Sequence, residues 1–330
     1  MGWVTTRPRR PVSVVLGSVD AVTTAAPPRI GIVVTDVYAD DDPDHDTPIL
    51  VDALRGAGAD AEAVVWHDAD VDLAAFDLLV LRSPWDYPER TDEFHAWLGR
   101  AEAATRVVND PATMRWNLDK HYLAELESAG IRIVPTDYAT TQDAAARAIS
   151  RHERVVVKPA VSAGARDTGL FDADDPAALA LAARIVDSGG VAMVQPEIAE
   201  LSAGHEKALY AIDGAFTHAI AKGALLAHGG GFRGGVYIEN PDPVTASAVE
   251  RAFASDVLRA VREVTGGDMP LYARVDTIDS AVHGLCLLEV ELVEPALNLH
   301  VAPEATDAVV RGILAAAATA PARATAARPR

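Results

Sequence analysis

Between Arg154 and Gly169 the chain reads RVVVKPAVSAGARDTG, and this stretch narrows the choice of folds more than any other. Val155, Val156 and Val157 are β-branched residues whose stiff side chains suit a strand. Lys158 ends that strand, and the proline after it is expected to stop further ladder pairing. Ser162, Ala163, Gly164 and Ala165 then offer backbone N–H groups with little side-chain bulk, and Arg166, Asp167 and Thr168 close the loop with polar groups. Such a loop can fold over phosphate oxygens while a fixed ammonium neutralises them. Taken alone, the segment is equally a surface hairpin with a solvated lysine, and the rest of the chain has to decide.

Composition limits the alternatives. With 330 residues, 49 % hydrophobic and 23 % charged, the chain has enough apolar material for two or three globular domains. Its 29 Lys and Arg face 48 Asp and Glu, a net charge of −19, which argues against nucleic acid or an anionic membrane as a partner. An anionic ligand therefore needs a local cationic pocket or a metal. Cys286 is the single cysteine and lies in an apolar run, so a buried thiol and a cytoplasmic setting are expected. Residues 1–28 join RPRR to PVSVVLGSVDAV, but Pro11 and Asp20 spoil the apolar core of a signal peptide. Residues 1–28 are read as a disordered extension and the Ala/Pro/Arg-rich residues 317–330 as a disordered tail. Nowhere do about 18 apolar residues run together, so no membrane helix is expected.

Strands and helices alternate from Ile30 onward. Ile30–Val34 is read as a strand, Pro48–Gly58 as a helix, Ala61–Val65 as a strand and Phe76–Leu81 as a third strand running into Arg82, Ser83, Pro84, Trp85, Asp86 and Tyr87. This alternation implies a parallel sheet, whose ligands gather at the strand C-terminal ends. Arg82 stands where a ligand carboxylate would be held, with Ser83 and Asp86 beside it. The other reading is that Trp85 and Tyr87 pack the loop and Arg82 pairs with Asp86. From Thr113 a single helix carrying Lys120 is predicted to close at Gly130. Val191–Val194 is a strand leading into Gln195, Pro196, Glu197 and Ile198. Asp213-Gly214, flanked by two strand-like runs, is a hairpin signal. HGGGFRGG, residues 228–235, has G-x-G-x-x-G spacing but is followed by extended VYIE rather than a helix, so it is read as a mobile loop carrying Arg233 toward a ligand. Pro243–Gly266 is predicted to be a long amphipathic helix.

The most chemical pattern comes late. Arg274 and Asp276 lie two apart on one predicted strand, and Glu289 and Glu291 two apart on another, so each pair shares a face. Three carboxylates facing one cleft would repel one another unless a divalent cation neutralised them, and oxygen-only ligands suit Mg²⁺, with Mn²⁺ as a substitute. A solvated acidic face on an edge strand would give the same alternation. The apolar residues between the acids, and the LCLL before them, favour a strand inside a sheet. Other chemistries are weak: there is no G-x-x-x-x-G-K-[ST] loop, Ser162 lacks a G-x-S-x-G frame, and the ten histidines lack zinc-site spacing.

Taken together these residues resemble the ATP-grasp superfamily of carboxylate-amine ligases, from Arg29 to about Ala316. RSPWDYPERTDEFHAWL, NDPATMRWNLDKHYL, KPAVSAGARDT and EVELVEPALNL look like the actinomycete branch that contains the O-ureido-serine cyclo-ligase of cycloserine biosynthesis. The resemblance implies an N-terminal open parallel α/β domain over residues 29–110. It also implies two α+β subdomains, 111–193 and 194–316, that sandwich ATP. Lys120, Lys158 and the loop with Ser162 and Gly164 would hold phosphates. Gln195, Glu197 and Ile198 would form the adenine hinge, and Glu206 would bind ribose. Asp276, Glu289 and Glu291 would hold metal, with Glu291 in place of the family's asparagine. Arg274, or Arg233, would stabilise the transferring phosphoryl group. The implied partner is a small amino-acid-like substrate; self-association into a homo-oligomer is left open.

Overall fold

A computed structural model describes residues 26–38, 43–162, 165–231 and 241–319. Most of the expected extension and tail lie outside the described residues, as do Gly164 and Arg233.

The first layer is a sheet of four parallel strands in the order β2-β1-β3-β4, namely β1 (Arg29–Val34), β2 (Asp60–Val65), β3 (Leu78–Ser83) and β4 (Arg106–Val108). Two helices connect its strands, α1 (Asp46–Gly56) and α2 (Thr91–Ala104). Strand alternation sorts the core. Ile30, Ile32, Leu78 and Val80 face α1, whereas Val33, Leu79 and Leu81 face Trp66, Phe94 and Trp97 on the other side. Both faces are covered, as a parallel sheet requires. The third strand starts later than its apolar pattern suggests, because a 3₁₀ turn at Leu73–Ala75, capped by Asp72, delivers Phe76 before the ladder begins.

The helix expected from Thr113 to Gly130 is two helices, α3 (Pro111–Asn117) and α4 (Tyr122–Ser128). Asp110 caps the first by accepting from Thr113 N at 2.9 Å, with Pro111 at the first helical position. The break falls at Lys120, whose N–H donates to Ala160 O at 2.9 Å instead of to the preceding helical turn. This places Lys120 in a turn tied to the end of the strand that carries Lys158. No local pattern announces such a tie.

The central sheet has the order β5-β8-β6-β7, with β5 (Asp137–Ala139), β6 (Arg154–Pro159), β7 (Gly169–Asp172) and β8 (Ala192–Pro196) paired antiparallel. Helices α5 (Gln142–Ile149) and α6 (Pro176–Asp187) cover one face, where Val155 and Val157 are fully buried. Alternation then turns Val156 and Lys158 to the opposite, open face. Pairing continues one residue further than expected, since Pro159 still faces Ala192 and Ala160 N donates to Val191 O. A terminal proline can accept from a ladder although it cannot donate.

The last sheet, β11-β10-β9-β12-β13, is antiparallel throughout and comprises β9 (Glu206–Ile212), β10 (Ala215–Lys222), β11 (Asp242–Val244), β12 (Tyr272–Ser280) and β13 (Gly284–Glu291). Asp213 (φ 49°) and Gly214 (φ 72°) join β9 to β10 in the left-handed geometry that a tight hairpin needs. A short helix, α7 (Ala199–Ser202), precedes β9. The long helix, α8, runs Ala248–Thr265 rather than from Pro243. Asp242–Val244 is drawn into the sheet against β10, and a capping box between Ser247 and Glu250 sets the helix start. Val257, Leu258 and Val261 of α8 pack on Leu209, Ala273 and Val275. The final helix, α9 (Thr306–Ala318), returns to α1, so Val309 and Ile313 join the core of the first layer. Cys286 is buried, and among the described residues no helix is long and apolar enough to cross a membrane.

Candidate active site

The open face of the central sheet and the face of the last sheet opposite α8 enclose one cleft, with Val156, Lys158, Gln195 and Ile198 on one wall and Lys222, Arg274, Asp276, Glu289 and Glu291 on the other. The register of β12 on β13 sets Arg274 opposite Glu291 and Asp276 opposite Glu289. The two sequence pairs therefore become one four-residue array. Arg274 grips Asp276 with two parallel bonds, Nε to Oδ1 at 2.9 Å and Nη2 to Oδ2 at 2.8 Å, and Nη2 also meets Glu291 Oε1. Lys222 Nζ donates to Asp276 Oδ2 at 3.1 Å and to Glu206 Oε1 at 3.0 Å. Lys120 Nζ lies 2.9 Å from Glu289 Oε1 and donates to Ser162 O at 2.8 Å.

These pairings set the charge states. Burial opposes the Asp276 carboxylate, but Arg274 and Lys222 outweigh it and hold its pKa below the ordinary range. Burial likewise opposes Glu289, and Lys120 and Lys158 overcome it. The reciprocal effect raises Lys120 despite its burial. Glu291 goes the other way, to about 8, because burial and the neighbouring acids prevail over Arg274, whose charge Asp276 already engages. Lys158 is lowered by burial, with Glu289 only partly compensating. Among the described residues no hydrogen bond engages its ammonium, so it faces the cleft as a donor ready for an anion.

At the other end of the cleft Gln195 is held by a bond from its Nε2 to Thr136 Oγ1 at 2.8 Å, and Val134, Val156, Ile198 and Leu288 form apolar walls. Glu197 reaches this region by its backbone, since its carboxylate is taken by Arg154 and Ser202, each at 2.7 Å.

Arg82, Ser83 and Asp86 are not brought into this cleft. Arg82 is only 1 % exposed; its Nη2 donates to Pro295 O, Asp46 lies at 3.7 Å, and its guanidinium sits over the Tyr272 ring. Asp86 accepts from Trp66 Nε1 at 2.7 Å and Arg90 Nη1 at 3.2 Å, while Ser83 bonds Asp44 and Tyr38. The alternative Arg82–Asp86 pairing does not form either, since each of the two takes other partners. Lys222, Tyr87 and Glu294 also line the cleft and were not anticipated as site residues. Lys222 ends the hairpin strand and could have been suspected from that. Glu294 falls outside the two-residue alternation because β13 ends at Glu291.

A parallel α/β layer followed by two antiparallel sheets that close on a lysine- and carboxylate-lined cleft defines an ATP-grasp ligase. At the level of fold, a RimK domain ATP-grasp protein from Sphaerobacter thermophilus aligns over 86 % of this chain and 97 % of its own, with a TM-score of 0.58 and 18 % identity. The sequence pattern of the N-terminal domain of D-cycloserine synthetase DcsG matches residues 30–109. The cycloserine biosynthesis protein DcsG of Streptomyces lavendulae is 34 % identical over 269 residues, spanning 78 % of this chain and 88 % of the relative. A crystal structure of D-cycloserine synthetase DcsG covers 88 % of this chain and 99 % of its own at a TM-score of 0.81 and 29 % identity. The chain belongs to the DcsG family.

Proposed function

We propose that the protein uses ATP to convert the carboxyl group of a small amino-acid-like molecule into an acyl phosphate, which a nitrogen of the same molecule displaces to close a five-membered ring. The substrate that fits this reading is O-ureido-D-serine; ring closure gives an N-carbamoyl ring, and loss of its carbamoyl group with water as carbon dioxide and ammonia leaves D-cycloserine. One observation carries it: the array of Arg274, Asp276, Glu289 and Glu291 faces Lys158 in a chain 34 % identical to a cycloserine biosynthesis protein.

In this reading Lys120 and Lys158 hold the α and β phosphates, and Ser162 and its neighbours cover them. Backbone groups at Gln195 to Ile198 hold adenine, and Glu206 holds ribose. Arg274 neutralises the transferring phosphoryl group and then the tetrahedral intermediate. The cleft suits Mg²⁺ without a preformed cage. Among the described residues no group of three acidic, histidine or cysteine side chains is arranged to hold a metal alone, and the neighbouring Asp276 and Glu289 supply the one or two carboxylates that Mg²⁺ combines with phosphate oxygens. The ion would offset charge on the phosphates. Aligned carboxylate and phosphoryl groups, more than new covalent chemistry, are what the protein contributes. A cytoplasmic setting fits the free, buried Cys286.

Purified protein given O-ureido-D-serine, ATP and Mg²⁺ should release phosphate and ring-closed product without added amine. Phosphate release only when an amine or second amino acid is supplied would make it an intermolecular ligase. ATP binding without phosphate release across a broad amino-acid panel would make it a silent nucleotide-binding module.

A further inference from the structure

Beyond Glu291 the chain leaves β13 and turns back under the N-terminal layer. Two side chains of that layer grip the turn: Trp85 Nε1 donates to Glu294 O at 3.2 Å and Arg82 Nη2 to Pro295 O. With its backbone held in this way, Glu294 is 9 % exposed and lines the cleft together with Tyr87, Lys120, Arg274 and Glu291. Tyr87, from a 3₁₀ turn at Tyr87–Glu89, lines the same cleft and, with Lys120, opposes the effect of burial on the Glu294 carboxyl. The other cleft acids have cationic partners: Asp276 has Arg274 and Lys222, Glu206 has Lys222, Glu289 has Lys120, and Glu291 has Arg274. Glu294 differs: among the described residues no ion pair engages its carboxylate, and it shares its part of the cleft with the neutral Tyr87.

Ring closure creates a need that these paired acids do not meet. The attacking nitrogen carries a hydrogen that must leave as the nitrogen–carbon bond forms. We propose that Glu294, beside Tyr87 in the cleft, is the proton acceptor for that nitrogen. The inference rests on the cyclising reading above. As the nitrogen bonds to the acyl carbon, its proton passes to the Glu294 carboxylate. The carbon–oxygen bond to phosphate breaks, phosphate leaves with the electron pair, and Glu294 later returns the proton to water. Arg274, whose charge is felt at Glu294, would face the oxygen of the tetrahedral intermediate. Burial lifts the Glu294 carboxyl to about 7, with Tyr87 and Lys120 opposing the rise, a value that suits a base working near neutral pH.

The test separates activation from ring closure. ATP labelled with oxygen-18 in the β–γ bridge is incubated with O-ureido-D-serine, Mg²⁺ and either wild type, Glu294→Gln or Glu294→Asp. Reversible acyl phosphate formation scrambles the label within ATP. Glu294→Gln should lose ring closure by about 100-fold or more, the usual size of a lost general base, yet still scramble the label. Glu294→Asp, which keeps a carboxylate, should recover part of the ring closure. Loss of scrambling together with turnover in both variants overturns the assignment, because Glu294 would then serve binding or phosphoryl transfer. Turnover of Glu294→Gln within about three-fold of wild type also overturns it, since removing a general base costs far more. A wild type that forms no ring product removes the cyclising reading itself, and the base assignment with it.

Discussion

Lys120 Nζ sits 2.9 Å from Glu289 Oε1 and at the same time donates to Ser162 O at 2.8 Å. One ammonium therefore joins the loop after Lys158 to the acidic strand of the other sheet, across the cleft that separates them. The Lys120→Met variant keeps the stem and removes the charge. It should weaken ATP binding at least about ten-fold and lower stability by about 1–3 kcal/mol, because Glu289 loses its partner. Nucleotide titration and urea unfolding check the two effects.

Glu289→Gln preserves volume and removes one charge from the proposed metal site. Turnover should become undetectable while circular dichroism stays close to wild type, with the unfolding midpoint falling because the buried Lys120 loses its charged partner. Phosphate release near the wild-type rate would remove Glu289 from the metal-binding set.

Glu291 predicts a pH-dependent stability. Its carboxyl is raised from 4.5 to about 8 in the fold, so the folded chain keeps a proton that the unfolded chain releases. The stability this supplies is complete below pH 4.5 and is lost as pH rises toward 8. Glu291→Gln should match wild type at pH 4 and melt roughly 2–4 °C higher at pH 9, about 1 kcal/mol for a chain of this size. Equal melting temperatures at pH 9 would contradict the raised pKa.

Thr136 fixes the Gln195 amide from a loop far away in sequence. Thr136→Val removes the acceptor with little change of volume and leaves the amide free to rotate. KM for ATP should rise about three- to ten-fold with kcat nearly unchanged, the signature of lost uniform binding. A fall in kcat with constant KM would show that Gln195 acts on chemistry rather than on the nucleotide.

Asp46 clasps the start of α1 to the segment beyond β13. Its carboxylate accepts from the backbone N–H groups of Leu297, Asn298 and Leu299 at 2.5, 3.1 and 2.8 Å and lies 3.7 Å from the buried Arg82. Asp46→Ala leaves those donors buried and should cost about 2–4 kcal/mol, read from urea unfolding. Arg82→Leu should lose less, because Nε and Nη1 of the guanidinium are buried without a hydrogen-bond partner among the described residues. If both variants unfold like wild type, the clasp contributes nothing.

What the sequence determined by itself was local and periodic. The parallel layer, the Asp213-Gly214 hairpin, the strand carrying Lys158 and the shared faces of Arg274 with Asp276 and of Glu289 with Glu291 all follow from side-chain alternation and turn chemistry, which act over a few residues. Tertiary structure decided everything that required two distant segments to meet. The register of β12 on β13 merged two pairs into one array. The bond from Lys120 N to Ala160 O split a predicted helix and aimed its lysine at Glu289. Burial drew Arg82 toward Asp46 and Pro295 instead of Asp86, and the grip of Trp85 on residue 294 brought Glu294 into the cleft beside Tyr87. Each of these depends on which group satisfies a donor or charge once water is excluded, and residue spacing carries no record of that partner.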